Sequence, residues 1–348
     1  MAKGKKPGPK KTPVVTLKAV AEHVGLTPGT VSAVLNNAPS SRSIPQHTKN
    51  RILAAARELN YRPNFFAQSL RKKRTYTIGV IVEEIGDAYG SLVISGIEQY
   101  LRQRNYFFLT VVHRHDPELL ERYAQILLER GVEGFITVDM LLREAPPLPT
   151  VAVAGHREFP GVTNIVLDHQ HAAEAALSHL RDLGHKDIAF MKGQPDSSDS
   201  ADRWQAICRV AGNLGIEIKP ELTVQIDIDD PTPQLGYPFA KKLLERNVPF
   251  TALFAYNDLS ALGAIRAFQD AGVRVPNDVS VVGFDDIQGA AYNTPSLTTV
   301  RQPLTRMGNI AAQTLLERIE GQEDYPSEIA IEPELVVRES TAKRPGAG

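Results

Sequence analysis

The stretch TLKAVAEHVGLTPGTVSAVLNN, residues 16–37, contains two short helical patterns separated by a glycine. Thr16 and Thr27 each stand where a side-chain oxygen can cap the helix that follows. Pro28 comes next, at a first-turn position where a missing N–H costs nothing. Gly25 interrupts the apolar periodicity, so the stretch predicts two short helices joined by a tight turn.

A third helical pattern runs from Gln46 to Asn60 and repeats its apolar residues on one side. We expect this side to bury Ile52, Leu53, Ala56 and Leu59. Two short helices, a glycine turn and a third helix predict a small all-α helix-turn-helix unit over residues 16–62.

The second helix of this unit has one apolar side and one side of small residues. Val31, Val34 and Leu35 would face the other helices. The opposite side is the one that enters the major groove in helix-turn-helix proteins, and it carries Pro28, Gly29, Thr30, Ser32, Ala33 and Asn36. It lacks the Arg, Lys and Gln side chains that match base edges. We expect it to approach DNA closely and to read shape; the alternative is that Gly29 and Ala33 pack against a neighbouring helix.

Charge is divided unequally along the chain. Residues 1–74 contain 15 Lys and Arg against Glu22 and Glu58, a balance of +13. Of 39 basic and 40 acidic residues in all, the remainder holds 24 and 38, a balance of −14. This asymmetry indicates a segment that meets a polyanion. Residues 1–15 are rich in Lys, Pro and Gly, and we expect a disordered tail there.

The composition is that of a globular protein large enough for two or three domains. Cys208 is the single cysteine among 348 residues, which excludes an intrachain disulfide framework and fits a reducing compartment. Apolar runs do not reach membrane-spanning length, and no hydrophobic segment follows the basic N-terminus. We therefore expect a cytoplasmic, nucleoid-associated protein without a secretory signal.

From Tyr76 onward the pattern changes to alternating apolar strands and helices. One set of strands runs from TIGVIV to NIVLD, and a second from DIAFMKG to VSVVGFDD. Repeated strand–helix units predict parallel sheets covered on both faces. Two such sets predict an α/β domain of two lobes, with a ligand cleft at the carboxyl ends of the strands.

The first unit resembles the headpiece of the lac repressor/galactose repressor family of bacterial transcription regulators. The resemblance rests on residues 16–37 together with YRPN (61–64) and AQSL (67–70), and it covers nearly the whole chain after the basic tail. It implies a dimer that binds a pseudo-palindromic operator. The implied DNA contacts are Thr16, Pro28, Gly29, Thr30, Ser32, Ala33, Asn36, Asn64 and Leu70. Ala33 departs from the family, which commonly has Arg or His there.

Residues 63–74 correspond to the hinge of this family. A helix this short is unstable in water, so we expect it to order only on DNA beside a second hinge. Phe66, Ala67 and Leu70 would share its face. The resemblance implies that Leu70 is a minor-groove wedge, which would compensate for the bare recognition helix through DNA deformability.

The remaining chain resembles the periplasmic-binding-protein-like effector domain of the same family. We predict an N-terminal lobe over 75–167 and 294–322, and a C-terminal lobe over 168–293 and 323–345. The chain should cross between the lobes near Asp168, near Tyr292 and near Arg301 to Gln302.

The resemblance also implies which residues bind the effector in this cleft. The predicted set is Asp87, Tyr89, His156, Asp199, Arg203, Asn257 and Asp285. Arg203 can grip two acceptors at once with its forked donors. Asp258 is interpreted as a helix cap, with Asn257 as the ligand residue. Mixed Asp, Asn and Arg side chains favour a neutral polyhydroxylated ligand such as a sugar; a cationic or nucleobase ligand remains open.

The resemblance implies a ligand-responsive repressor, and together with the patterns above it leads us to expect a protein that is not an enzyme and needs no cofactor or metal. Nucleotide-binding glycine motifs and metal-ligand spacings are absent from the sequence. His113 and His115, in HRH, are expected to face solvent at a strand end. A transport protein would have no use for residues 16–70. A weakly specific architectural DNA-binding protein with a vestigial effector domain remains the alternative.

Overall fold

A computed structural model of the chain forms two compact units, Met1–Thr75 and Tyr76–Gly348, which are described one at a time. The structure describes residues 15–64, 69–70, 72–86, 88–114, 116–140, 142, 146–155, 158–195, 197–322 and 324–344. None of the helices in these ranges has the length and apolar character required to cross a membrane.

The first unit is a three-helix bundle with α1 (Leu17–Val24), α2 (Pro28–Leu35) and α3 (Gln46–Glu58), and a 3-10 turn at Pro39–Ser43. Its caps follow the predicted pattern. The Thr16 hydroxyl accepts a hydrogen bond from the Ala19 N–H, and the Thr27 hydroxyl accepts one from the Thr30 N–H. Gly25 ends α1 with a φ of +66°, which favours glycine.

Three fully buried side chains, Val20, Val31 and Ile52, bring one residue from each helix into the core of this bundle. The prediction that Leu53 is buried is wrong, because it is 39% exposed. Ala55, which follows Ile52 by three residues on the same side of α3, is buried in its place.

The predicted hinge face is only partly within the described residues. Phe66 and Ala67 lie outside them. Ser69, Leu70 and Lys72 are helical, and Leu70 exposes 85% of its surface.

The second unit begins with five strands and two helices that form most of a first lobe. The strands are β1 (Thr77–Val82), β2 (Phe107–Val112), β3 (Phe135–Val138), β4 (Thr150–Val153) and β5 (Val162–Leu167). The helices are α4 (Ala88–Gln103) and α5 (Pro117–Glu129). All six residues of β1 are buried, as expected for a central strand of a parallel sheet.

The next segment builds a second lobe of the same kind. Its strands are β6 (Ile188–Lys192), β7 (Thr223–Gln225), β8 (Ala252–Phe254), β9 (Ser280–Asp285) and β10 (Thr298–Arg301). Its helices are α6 (His169–Asp182), α7 (Ser198–Leu214), α8 (Tyr237–Glu245), α9 (Asp258–Asp270) and α10 (Gln288–Tyr292), with 3-10 turns at Pro220–Leu222 and Pro233–Leu235.

The last segment supplies one helix and one strand to the first lobe and one strand to the second. These elements are α11 (Leu304–Ile319), β11 (Glu328–Ile331) and β12 (Glu334–Val336). The first sheet has the order β11-β5-β4-β3-β1-β2, and the second has the order β12-β10-β9-β8-β6-β7. All pairs are parallel except β10 with β12.

Two parts of the predicted lobe boundaries are wrong. Residues 298–301 belong to the second lobe, because β10 pairs with β9 along its whole length. Residues 328–331 belong to the first lobe, because β11 pairs with β5. The chain crosses at Asp168 and just after Arg301, but its third crossing lies between β11 and β12 and not near Tyr292.

Two glycines allow α4 and α11 to pack with their backbones in close contact on the first sheet. A Cβ at Gly96 would lie 2.0 Å from the Thr305 carbonyl oxygen, and one at Gly308 would lie 2.0 Å from the Val93 carbonyl oxygen. Any larger side chain would push these helices apart, so this pair fixes the position of the returning segment.

Candidate functional site

The outer side of α2 carries the small residues that the sequence predicts there. Pro28 and Gly29 are exposed, and Thr30, Ser32, Ala33 and Asn36 are half-buried. A Cβ added at Gly29 would meet only the Thr27 hydroxyl oxygen, at 3.8 Å. The alternative that Gly29 packs against a neighbouring helix is therefore wrong, and its small size leaves open surface.

The polar side chains on this side are engaged within their own helix. The Asn36 side-chain amide donates to the Ser32 carbonyl oxygen at 2.8 Å, and the Thr27 and Thr30 hydroxyl oxygens are 2.9 Å apart. Asn36 must therefore give up or share an internal hydrogen bond before it can read a base edge. Thr16 and Asn64, predicted to contact DNA, are exposed.

A cavity lies between the two lobes, at the carboxyl ends of the strands of both sheets. The first lobe contributes Glu83, Glu84, Tyr89 and Asp139 to its lining. The second lobe contributes residues from the ends of β6, β7, β8 and β9 and from the start of α7, among them Asp199, Arg203, Tyr256, Asn257 and Asp285. This is the edge at which the sequence predicts the ligand cleft.

Arg203 lies at the centre of a buried hydrogen-bond network. It is 5% exposed, and its guanidinium donates to the Tyr256 carbonyl oxygen at 2.6 Å and to the Asp199 carboxylate. The other Asp199 oxygen is 2.9 Å from His169 Nε2. The guanidinium carbon also lies 3.7 Å from the centre of the Phe284 ring, a cation–π contact. Packing and hydrogen bonds thus fix the guanidinium before any ligand arrives.

Asp285 ends β9 beneath the same cavity. It is 6% exposed, and one carboxylate oxygen accepts a 2.7 Å hydrogen bond from the Gln302 side chain. Burial raises its pKa well above the ordinary value, although nearby Arg203 opposes this. Its φ of +115° is unusual for a residue other than glycine, which marks a strained strand end. Gln302 lies where the chain crosses between lobes, so Asp285 connects the cavity to that crossing.

Asp139 follows β3 and faces the second lobe across the cavity. The Ser197 hydroxyl donates to it at 3.4 Å, which is one of the contacts between the lobes. Burial raises the Asp139 pKa well above its ordinary value, and the adjacent carboxyl groups of Glu83 and Asp199 raise it further. Its side chain also makes a hydrogen bond with Glu83. Glu83 and Asp139 thus place two carboxyl groups on the first lobe's side of the cavity.

Tyr89 contributes a phenol from the first turn of α4. Its hydroxyl oxygen is buried and makes no hydrogen bond within the described part of the chain. Burial raises the pKa of this phenol, with Asp199, Asp139 and Asp285 adding to the effect. The group therefore stays protonated and can donate to a ligand.

The prediction that Asp258 caps α9 is wrong, because the cap is Asn257. Asn257 caps α9, since its side-chain oxygen accepts from the Ser260 N–H at 2.9 Å. Asp258 is fully buried and accepts from the Ile287 N–H at 2.8 Å and the Thr299 hydroxyl at 2.6 Å. Burial raises the Asp258 pKa to about 7, against these hydrogen bonds. Asp258 thus secures the loop after β9, while Asn257 still lines the cavity.

Five of the seven residues predicted to bind the effector line this cavity: Tyr89, Asp199, Arg203, Asn257 and Asp285. Asp87 and His156 lie outside the described residues, as does His115. His113 is 4% exposed, so the prediction that it faces solvent is wrong.

Several lining residues were missed from the sequence. Asp139 directly follows the strand GFITV, so its place at the carboxyl end of a parallel strand was a usable signal. Asp229 and Asp230, in the loop after β7, belong to no recognisable pattern. Within the described ranges, no three His, Cys, Asp or Glu side chains form a group that could hold a metal ion.

Both units match known protein families. Residues 16–64 match the model for bacterial regulatory proteins of the lacI family, and residues 177–341 match that for a periplasmic binding protein-like domain. The chain is 31% identical over 339 residues to the HTH-type transcriptional repressor PurR of Aliivibrio fischeri (strain MJ11). That alignment covers 95% of this chain and 99% of the relative.

Two solved structures are similar over the same span. The lac repressor dimer bound to operator and the anti-inducer ONPF has a TM-score of 0.84 and 27% identity. The complex of the transcriptional regulator CelR with cellobiose has a TM-score of 0.69 and 28% identity. Each comparison covers 94% of this chain and 99% of the other.

Proposed function

The chain belongs to the lacI family of bacterial regulatory proteins, and from that premise we propose that it is a ligand-responsive repressor. Its homodimer binds a pseudo-palindromic operator through paired headpieces, because two half-sites require two recognition helices. A small molecule between the lobes of the effector unit sets its affinity for the operator. The solved lac repressor, a dimer bound to operator, supports the dimeric arrangement.

One observation carries this proposal: the cavity between the lobes holds a guanidinium that is buried and already fixed. Arg203 is held by the Asp199 carboxylate and the Tyr256 carbonyl oxygen, which are groups of the protein itself. Such preorganised, water-excluded donors are typical of a small-molecule site. Tyr89 and Asp285 flank it, so hydroxyl groups of a ligand can both accept and donate there.

The ligand that these groups support is a sugar or a related hydroxylated molecule. Cellobiose is bound by the related regulator CelR, which shows that one relative of this fold takes a carbohydrate. Arg203 would grip two oxygens, and Asp285 would accept from hydroxyl groups.

The proposed regulation follows from thermodynamic linkage between ligand binding in the cleft and operator binding by the headpieces. A ligand that touches both lobes favours the closed cleft, because it gains contacts only there. Closure would change the spacing of the two hinges of the dimer and therefore the stability of the hinge helices on DNA. The exposed Leu70 would then act as the wedge that opens the minor groove.

The experiment is a selection of binding sites from random DNA with the purified full chain, followed by a ligand titration on the selected site. A repressor of this kind recovers a two-fold symmetric sequence and binds it at least about a thousandfold more tightly than random DNA at one salt concentration. A bound ligand then changes that affinity. Recovery of no consensus sequence would contradict the proposal.

A second candidate, a weakly specific architectural DNA-binding protein, is favoured by the open surface at Gly29 and the absence of a long side chain at Ala33. The same selection discriminates between the two. An architectural protein binds selected and random DNA with similar affinity, and both affinities fall equally with salt.

A further inference from the structure

The described lining of the interlobe cavity is strongly acidic. The first lobe contributes the carboxyl groups of Glu83, Glu84 and Asp139. The second lobe contributes those of Asp199, Asp229, Asp230 and Asp285. Against these seven, the lining residues of the described ranges include one cation, Arg203. Burial raises the pKa of Asp139 and of Asp285, but the other five carboxyl groups still outnumber the one cation, and a neutral sugar does not balance the charge that remains.

The positive charge of Arg203 is already paired within the protein. Its guanidinium bonds to Asp199 and lies against the ring of Phe284. On the other rim, Glu84 accepts the Ile85 and Gly86 N–H groups and lies 3.5 Å from the exposed Arg114. Asp139 lines the cavity together with Glu83 and the second lobe's Asp199, and the Ser197 hydroxyl of the second lobe donates to it at 3.4 Å. The region around Asp139 is therefore where a positive charge would be most stabilised.

Two further groups favour a ligand that also carries oxygen atoms. Arg203 is 5% exposed, lines the cavity, and has an Nε–H without a hydrogen-bond partner. The buried Tyr89 hydroxyl, which lines the same cavity, also lacks one. A buried polar group that is left unpaired costs free energy, so a ligand that supplies an acceptor gains affinity there. Neither group belongs to the carboxyl cluster, so this observation is independent of the cluster's charge.

The carboxyl groups do not suit a metal ion. No three of them, in the part of the chain that the structure describes, come close enough together to bind one. Their spread over both lobes matches an extended organic molecule with a positive charge on one part and oxygens on another.

We propose that the effector is a hydroxylated organic amine of the amino-sugar class, with its ammonium group beside Asp139 and Glu83. Its oxygens accept from Arg203 Nε and the Tyr89 hydroxyl. This inference rests on the proposed function, because it identifies the ligand of the same site.

The ammonium group also explains how such a ligand would hold the cleft closed. The closed cleft brings Asp139 of the first lobe near Asp199 of the second, and like charges oppose this approach unless a proton or a cation intervenes. An ammonium beside Glu83, Asp139 and Asp199 attracts carboxyl groups of both lobes at once. A neutral sugar brings no positive charge to these groups, so it favours closure less.

The test is calorimetric titration of the full chain with matched sugars. Glucosamine, galactosamine and mannosamine are each compared with the neutral parent, and N-acetylglucosamine keeps the nitrogen without its charge. Hypoxanthine represents a neutral nucleobase. At least one amine should bind about tenfold or more tightly than its parent, because a desolvated charge pair is lost in the parent. N-acetylglucosamine should bind no better than glucose.

Two variants test whether the preference for an amine depends on the carboxyl groups of Glu83 and Asp139. Glu83→Gln with Asp139→Asn keeps the shape of the rim and removes its charge, so it should abolish the preference for the amine over its parent. Glu245→Gln removes an exposed carboxylate on α8, outside the cavity, and should leave the preference unchanged. Equal binding of amines and neutral parents, tighter binding of hypoxanthine, or no binding of any amine would overturn the proposal.

Failure of this inference is distinguishable from failure of the proposed function, because DNA binding is measured separately. A neutral sugar or hypoxanthine that binds and alters operator affinity would leave the function standing and refute the amine. An amine that binds to a chain with no operator preference would refute the function and leave the ligand class standing.

Discussion

The outer side of α2 and the cavity between the lobes are chemical opposites. The helix offers Gly29, Ala33 and a few short hydroxyls, and its one amide, on Asn36, bonds to its own helix. The cavity gathers seven carboxyl groups and a buried guanidinium. A bare surface can select a partner only by fit and by how easily the partner deforms. A charged, buried cavity selects by charge and by unsatisfied hydrogen bonds.

This contrast is tested most sharply at Arg203, because its removal should affect the cavity alone. Arg203→Met leaves the Tyr256 carbonyl oxygen and one Asp199 oxygen without their donor. Breaking a buried ion pair in this way costs about 3–5 kcal/mol of unfolding free energy. Ligand affinity should fall by roughly a hundredfold or more for the same reason. Chemical denaturation and calorimetry measure the two losses.

Arg209 provides the matched control on the same helix. It is exposed, and its guanidinium donates to the Gln170 side chain at 3.3 Å. Arg209→Met should change stability by no more than about 0.5 kcal/mol. Arg203→Lys keeps the charge but not the fork, and it should fold while still binding ligand weakly. Wild-type ligand affinity in Arg203→Lys would contradict the role of the fixed guanidinium.

Leu70 is the corresponding test on the DNA-binding side. It exposes 85% of its surface, so Leu70→Ala should cost the isolated protein little stability. If Leu70 wedges into a base step, the variant should lose about tenfold to a hundredfold of operator affinity and little affinity for random DNA. Fluorescence anisotropy at one salt concentration measures both.

Leu70→Met is the control for this prediction, since it keeps an apolar side chain of similar size and should retain most of the affinity. A parallel loss on operator and random DNA would count against the wedge. It would also argue against the hypothesis that DNA deformation by Leu70 supplies the sequence specificity that the small side chains of α2 do not.

The sequence predicted the headpiece and the two-lobed effector domain, but it did not predict which C-terminal segments belong to which lobe. Periodicity identifies a strand, while its partner depends on which sheet edge lies within reach. For that reason the predicted lobe ranges place residues 298–301 and 328–331 in the wrong lobes. Sheet pairing with β9 and β5 decided their positions.

The site was predictable where a residue type and a strand end coincide. Asp285 fulfils that condition at the end of β9, whereas Tyr89, Asp199 and Arg203 lie near the start of the helices that follow β1 and β6, and all four line the cavity. The sequence could not show that Asn257, and not Asp258, caps α9. One residue of helix register decides which side chain caps α9 and which is buried against the loop after β9. Asp139 gains its chemistry from neighbours on other elements, which no local pattern reveals.

The pH dependence of ligand binding tests whether the carboxyl groups of the cavity select the ligand by its charge. The titratable and polar groups around Asp139 come from several elements. In the first lobe they are Glu83 after β1 and Tyr89 on α4. In the second lobe they are Ser197, Asp199 and Arg203 at the start of α7 and Tyr256 after β8. Burial raises the pKa of Asp139, so at pH values below this raised pKa the free protein holds a proton that an ammonium ligand would displace. Proton release on binding means that affinity rises with pH, up to the raised pKa, and then levels off.

The expected slope is at most about tenfold per pH unit for one released proton, as long as the ligand amine stays protonated. Calorimetry in buffers of different ionisation enthalpy counts the proton directly. In Asp139→Asn the slope should vanish. Affinity that falls as pH rises from about 5 to about 7 would contradict proton release at this carboxyl group.

Gly29 gives the smallest expected change and the clearest separation of stability from DNA binding. A Cβ there meets only the Thr27 hydroxyl oxygen at 3.8 Å, so Gly29→Ala should stabilise the headpiece by roughly 0.5 kcal/mol. If α2 approaches its operator as closely as its small side chains permit, the same methyl group should weaken operator binding several-fold. Gly25→Ala is the contrast, since its φ of +66° makes the alanine strained and destabilising. Suppose that Gly29→Ala is more stable and binds the operator with unchanged affinity. The small residues on the outer side of α2 would then not serve close approach to DNA, and the proposed difference between this helix and the cavity would be contradicted for DNA binding.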